Sequence, residues 1–172
     1  PRSPAGLPWS EHGVNAVSGP LRGIDIDDDD CTHVADKRAD KIWHVCHDQP
    51  LRSTKVLKPI GVHAHGTKLY VGSFTPPHGA VHMLERRTDT TPGTGEGEGD
   101  AYHITRSFTH KRLVHPAGLL VTHTAVQSGV LYVLEQSKSA LLAFDLATGN
   151  LTGTVLHDLP DVPEGLMLSL GC

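Results

Sequence analysis

A phrase made of a proline, a glycine within about three residues and then alternating apolar residues returns four times along this chain. It limits the available folds more than any other feature. The copies are Pro20-Leu21-Arg22-Gly23-Ile24, Pro59-Ile60-Gly61-Val62, Pro116-Ala117-Gly118-Leu119 and Pro163-Glu164-Gly165-Leu166. With glycines at 23, 61, 118 and 165, successive copies lie 38, 57 and 47 residues apart; the longest interval falls to 43 without the Gly/Thr/Glu stretch from Arg87 to Asp100. Intervals of roughly 40 to 50 residues are what one four-stranded propeller blade requires.

Each copy continues in the same order. After the glycine comes a period-two strand such as Ile24-Asp25-Ile26 or Leu166-Met167-Leu168, apolar on one face. A second strand reads Thr32-His33-Val34, Leu69-Tyr70-Val71 and Leu131-Tyr132-Val133, rich in residues that suit a pleated surface. A third reads Ile42-Trp43-His44-Val45, Val81-His82-Met83-Leu84 and Leu142-Ala143-Phe144, and in copy three the turn Asp145 to Asn150 leads to a fourth, Leu151 to Leu156. No segment combines a helical period with helix start and stop signals. The expected fold is therefore all-β, a propeller-like array of four-stranded antiparallel blades. Blade 1 spans 21–58, blade 2 spans 59–115 with an insertion at 87–100, and blade 3 spans 116–162. Residues 163–172 open a further blade, and segment 1–20 holds a candidate blade-completing strand near Val14 to Val17.

The run Leu131-Tyr132-Val133-Leu134-Glu135, then Leu141 to Gly149, then Pro163-Glu164-Gly165-Leu166 resembles the repeats of the NHL and YVTN families of β-propellers. The resemblance covers about Leu21 to Leu170, well in blade 3, fairly in blade 1 and loosely in blade 2. It implies a propeller and no single activity, because these families include binding modules, scaffolds and enzymes. A propeller closes with about four to eight blades, so three blades and two partial ones do not close comfortably alone. An open series leaves strand edges for other chains to pair with. The sequence is then part of a longer chain, one half of a six-bladed pair, or a unit that completes its neighbour by strand addition.

Composition narrows the partners. No apolar run is long enough to span a membrane, the net charge of −4 is mild with scattered Lys and Arg, and aromatics are only 5%. Nucleic acid is accordingly not an expected partner. Pro1 in place of methionine fits a processed start. If Thr32 to Asp36 and Lys41 to Val45 form a hairpin through Lys37 to Asp40, position i faces position 77−i, and Cys31 faces Cys46. Directly opposed residues are close enough to bridge, so a disulfide is expected, and with it an oxidising compartment. Cys172 is left as a candidate intermolecular thiol. Asn150-Leu151-Thr152 is an N-glycosylation sequon at a strand-connecting tip, and Thr88 to Thr94 reads first as an ordinary flexible loop and only second as a carrier of O-linked sugars.

Thirteen histidines in 172 residues are the best argument for chemistry. His63 and His65 alternate on one strand face after a blade-opening glycine, and with a third ligand from His115, Asp25 or Asp27 they form a candidate site for zinc. Against this, His33 aligns with Tyr70 and Tyr132, and His82 with Trp43, which are ordinary strand positions. The acidic run Asp25 to Asp30 resembles the start of a calcium loop but has Asp30 where the glycine belongs and Asp36 where the glutamate belongs, so a solvated turn is expected. Gly93 to Gly99 lacks the P-loop lysine, and no Gly-x-Ser-x-Gly elbow occurs. The sequence thus points to a secreted, glycosylated structural or interaction module that assembles with identical or related subunits, as an oligomer or filament, without a resident cofactor. The alternative is a metal-dependent propeller enzyme, a lyase or lactonase-like hydrolase, with His63 and His65 as ligands.

Overall fold

The computed structural model describes residues 21–47, 49–75, 77–87, 100–124, 127–160, 163, 165 and 166. Within them the chain is all-β, with twelve strands forming three four-stranded antiparallel sheets. Sheet 1 contains β1 (Leu21–Ile26), β2 (Thr32–Asp36), β3 (Lys41–Val45) and β4 (Arg52–Lys55). Sheet 2 contains β5 (Pro59–His65), β6 (Lys68–Thr75), β7 (His78–Arg86) and β8 (Tyr102–Thr109). Sheet 3 contains β9 (Pro116–Thr124), β10 (Gln127–Glu135), β11 (Ala140–Asp145) and β12 (Leu151–Leu156), with one 3-10 turn at Gln136–Lys138. Every strand pairs with its sequence neighbour, so each sheet is a meander.

The turns explain why pairing is so local. Asp40 and Ser139 adopt left-handed φ values of 56° and 46°, and Gly149 one of 78°, closing the β2–β3, β10–β11 and β11–β12 connections. In the first hairpin His33 faces His44 and Thr32 faces Val45. Both pairs sum to 77, and the same register places Cys31 and Cys46 with Cα atoms 4.2 Å apart, joined by a disulfide. A cross-link over a sequence separation of 15 removes roughly 3 kcal/mol of chain entropy from the unfolded state in the loop-closure account. The candidate strand near Val14 to Val17, the insertion residues 88–99 and Cys172 lie outside the described residues.

The sheets stack in chain order, and the repeat glycines are where they meet. A Cβ on Gly23 would stand 2.7 Å from the Ile60 carbonyl oxygen, and one on Gly61 would stand 2.3 Å from that of Ala117. Gly118 repeats the arrangement against Gly165 and Leu166, with contacts of 3.0 to 3.2 Å. At Gly23 and Gly61 first strand therefore lies on first strand with backbone against backbone, which only glycine permits, whereas Gly165 and Leu166 belong to no strand. Beside these points each interface holds an apolar cluster. Ala35 and Ile42 of sheet 1 pack with Val62, Leu69, Val71 and Leu84 of sheet 2. Tyr70, Val81 and Phe108 of sheet 2 pack with Leu119, Val121, Leu131 and Phe144 of sheet 3. Before β9, the fully buried Glu135 carboxylate accepts the Val114 and His115 N–H groups, both at 2.7 Å, and so fixes where that first strand begins.

Gly61→Ala is expected to destabilise the protein by about 1–3 kcal/mol through forced overpacking. Gly153→Ala, whose Cβ meets nothing within 4 Å, is expected to stay within about 0.5 kcal/mol of the parent. Urea unfolding of the two variants checks the glycine contact; equal effects would remove it.

Candidate functional site

Ionisable side chains gather where the sheets meet, in two clusters. The first runs across the three first strands. Asp25 on β1 accepts two hydrogen bonds at Oδ2, one from His63 Nδ1–H on β5 and one from the Ala64 N–H, both at 2.9 Å. His63 stacks on His65 with ring centroids 6.3 Å apart, and His65 stacks on His123 of β9 at 4.8 Å. One carboxylate and three imidazoles thus form a file spanning all three sheets.

Asp25 sets the chemistry of the first ring. A carboxylate can only accept, so Nδ1 carries a proton and donates it, and Nε2 is the ring nitrogen left over. That Nε2 is buried without a hydrogen-bond partner among the described residues. Burial opposes ionisation of Asp25, but His63 and the Ala64 and Ile26 N–H groups outweigh it and hold the carboxyl below its usual range. His65 is held below the ordinary histidine value, first by burial and then by the neighbouring His123 and His63.

The second cluster is buried between sheets 1 and 2. His33 and His44 face each other across the first hairpin with Nδ1 atoms 2.8 Å apart. His33 Nε2 lies 3.0 Å from Asp27 Oδ2, and His44 Nε2 lies 2.8 Å from Thr54 Oγ1, which accepts the Tyr102 N–H at 3.0 Å. With both rings neutral these partners leave one proton order: His33 Nε2–H donates to Asp27, His44 Nδ1–H donates to His33, and the Thr54 hydroxyl donates to His44. The two facing Nδ1 atoms hold a single proton between them, so the link is lost when both histidines are charged. Burial pushes His44 down to about 3 and also lowers His33.

Arg86 closes this network from sheet 2. Its guanidinium reaches Asp27 at 3.3 Å and Asp29 at 3.2 Å, and its Nε donates to the Tyr102 hydroxyl at 3.3 Å. Asp27 Oδ1 accepts the Asp29 and Cys31 N–H groups at 3.0 and 2.9 Å. The acidic run is therefore a turn whose Asp27 carboxylate points inward. Burial alone would raise that carboxyl, but the Cys31 N–H and His33 outweigh it and keep it ionised. A cleft of about 440 Å³ opens beside it, lined by Asp27, Asp29, Lys68, Glu85, Arg86 and Tyr102 among others. Its cations are already matched, Lys68 to Glu85 at 3.2 Å and Arg86 to the aspartates.

The expected site residues take different places. His63 and His65 share a strand face and Asp25 touches the first of them, but Asp27 belongs to the second cluster. His115 precedes β9 and packs edge-on against Phe74 at 5.0 Å. No group of three His, Cys, Asp or Glu side chains among the described residues has the geometry to hold a metal ion. His63, His65 and His123 are instead stacked ring on ring, and Asp25 is engaged by His63 and the Ala64 N–H. For calcium, the hard oxygens of Asp25 and Asp27 are turned to histidine, arginine and backbone N–H groups instead. Asn150 is exposed in the turn between β11 and β12. Sequence reasoning missed His123, which has no counterpart in the repeat, and the His33–His44 pair, which the 77−i register itself contains.

Comparison with protein-family models gives no match, and comparison with curated proteins gives none at a significant level.

The buried pair makes stability depend on pH. Histidines whose folded values lie below the unfolded value of about 6.5 leave the unfolded chain binding more protons in acid, so stability is full above that pH and falls below it. For His44 the loss extends from about pH 6.5 toward about 3. Asp27 acts in the same direction at lower pH, its contribution being lost as pH falls through its depressed folded value. Urea midpoints are expected to fall steadily from pH 7 to 4.5, and a flat or rising profile would contradict neutral buried histidines. Asp27→Ala is expected to cost about 1–3 kcal/mol at neutral pH by leaving buried donors unpaired.

Proposed function

We propose that this chain is an extracellular structural and interaction module of propeller-type blades, related to the NHL and YVTN repeats, which assembles with identical or related subunits through the open ends of its sheet series. One observation carries the proposal. Ile24 and Ile26 of sheet 1 are 67% and 58% exposed, whereas Val62 and Leu119, in the same place after the repeat glycine, are 8% and 5% exposed. Single exposed apolar residues need no partner, but two neighbouring ones at a repeat position that Val62 and Leu119 bury in sheets 2 and 3 mark an interaction surface.

Three features support the setting. The Cys31–Cys46 disulfide suits an oxidising compartment. No helix among the described residues is long and apolar enough to cross a membrane. Asn150 is exposed within its sequon and open to an N-linked glycan. Cys172 is proposed as an additional covalent link between neighbours. A second reading, the metal-dependent propeller lyase or lactonase-like hydrolase, is favoured by a single atom, the unpartnered Nε2 of His63.

Light scattering on the purified protein, with and without reductant, is expected to give a mass that is a multiple of the 18.5 kDa protomer. A well-folded solitary protomer at micromolar concentration overturns the proposal. Elemental analysis of an unchelated preparation is expected to find no stoichiometric metal; one equivalent would move the balance to the enzyme.

A further inference from the structure

We infer that acid opens the junction between sheets 1 and 2 while the junction between sheets 2 and 3 stays closed, with the facing His33 and His44 rings as the trigger. This switch operates whether or not the chain assembles as proposed above.

The two junctions hold their sheets by different means. Between sheets 2 and 3 the buried contact is made by Tyr70, Val81 and Phe108 against Leu119, Leu131 and Phe144, none of which gains charge in acid. The histidines that meet there, His65 and His123, lie at the rim, where His123 is exposed and water screens its charge. Between sheets 1 and 2, by contrast, His33 and His44 share a strand face with the core residues Ala35 and Ile42 and are 0% and 3% exposed. Sheet 2 closes over them with Tyr102, whose ring centroid lies 5.8 Å from that of His33 and 4.6 Å from that of His44.

Charged groups approach the pair from both sheets. Asp27 lies 3.0 Å from His33 but also serves Arg86 and the Cys31 N–H, and Asp25 is engaged by His63. Arg52, opposite His44 on β4, and Arg86 on β7 both oppose a positive charge on His44. At His33 burial and Arg86 outweigh the help of Asp27 and Asp25.

One proton fits this site. A charged His33 donates from Nε2 to Asp27 and from Nδ1 to a neutral His44, whose other tautomer then donates from Nε2 to Thr54. A second proton sets N–H against N–H across 2.8 Å, between two positive rings shut off from water. Parting of the sheets relieves that state by letting water reach both rings. The Asp25–His63 contact does not respond in the same way, because His63 donates from Nδ1 whether it is neutral or charged. Once the junction parts, the Cys31–Cys46 disulfide keeps β2 and β3 joined, and residues 56–58 tether β4 to β5.

A histidine whose value lies lower in the closed form than in the open one favours closure at neutral pH, and that preference is lost as pH falls below the open-state value. His44, held at about 3 when closed and released to about 6.5, alone raises the opening equilibrium about 25-fold between pH 7 and pH 5. His33 adds to this in the same direction. Amide hydrogen exchange of the whole chain at the two pH values, read by mass spectrometry and corrected for intrinsic rates, tests the switch. Protection of β2, β3 and β4 is expected to fall about tenfold or more at pH 5, while that of β9, β10 and β11 changes by less than about threefold. An equal fall in all three sheets means that acid acts only on unfolding as a whole, and it overturns the inference, as does unchanged protection in sheet 1. These outcomes come from the parent protein alone. His44→Asn, which keeps a donor for His33 but takes up no proton, is expected to remove most of the fall in sheet 1. The reading is the ratio between the two pH values, so a cost of the substitution at pH 7 does not disturb it. A variant that is folded and keeps the parent's ratio places the trigger elsewhere and overturns the role of the pair.

Discussion

Backbone-to-backbone contact between the first strands of successive sheets is the constraint on which the rest of this structure depends. A side chain at Gly23 or Gly61 would intrude to within 3 Å of the next strand's carbonyl oxygen. The glycines hold the sheets at a fixed separation and offset. Only at that separation do Ala35 and Ile42 reach Val62 and Val71, and Tyr70 and Val81 reach Leu119 and Leu131. The same offset sets the ionisable side chains of one sheet against those of the next, Asp25 against His63 and Asp27 against Arg86. Packing and polar chemistry are thus consequences of one spacing.

The two inter-sheet cores are not alike. Between sheets 2 and 3 the contact is aromatic and aliphatic, with Phe108 set edge-on to Phe144 at 6.2 Å. Between sheets 1 and 2 much of the same volume holds the Asp27–His33–His44–Thr54 chain under the Tyr102 ring. A buried polar chain with every donor and acceptor matched tolerates one arrangement of its partners and makes any slip costly. The disulfide beside it reinforces this, since the N–H of Cys31 donates to Asp27. Sheet 1 is therefore anchored to sheet 2 by directional contacts, while the apolar Ile24 and Ile26 on its other side are uncovered among the described residues.

Much of the fold was legible along the chain. The positions of the strands, the meander within each sheet and the opposition of Cys31 and Cys46 follow from period-two patterning and short turns, and each of these involves residues only a few positions apart. The candidate site was legible in part. Two histidines after Gly61 on one strand face were visible, because alternation is a local property. Their partners were not: the stacking of His123 on His65 depends on how far β9 extends beyond its repeat equivalents.

The sequence alone determined that the described residues are all-β, that four-stranded antiparallel sheets follow one another along the chain and how the first hairpin is registered, because turn chemistry and side-chain alternation act over short separations. Tertiary structure alone decided which carboxylate meets which imidazole and which apolar face the described residues leave uncovered. Asp25 and His63 are 38 residues apart, and Arg86 and Asp27 are 59 apart. No local rule relates residues at such distances. Their meeting is set by the stacking of whole sheets, and the opposite side of the first sheet stays open because, within the described residues, no earlier sheet precedes it.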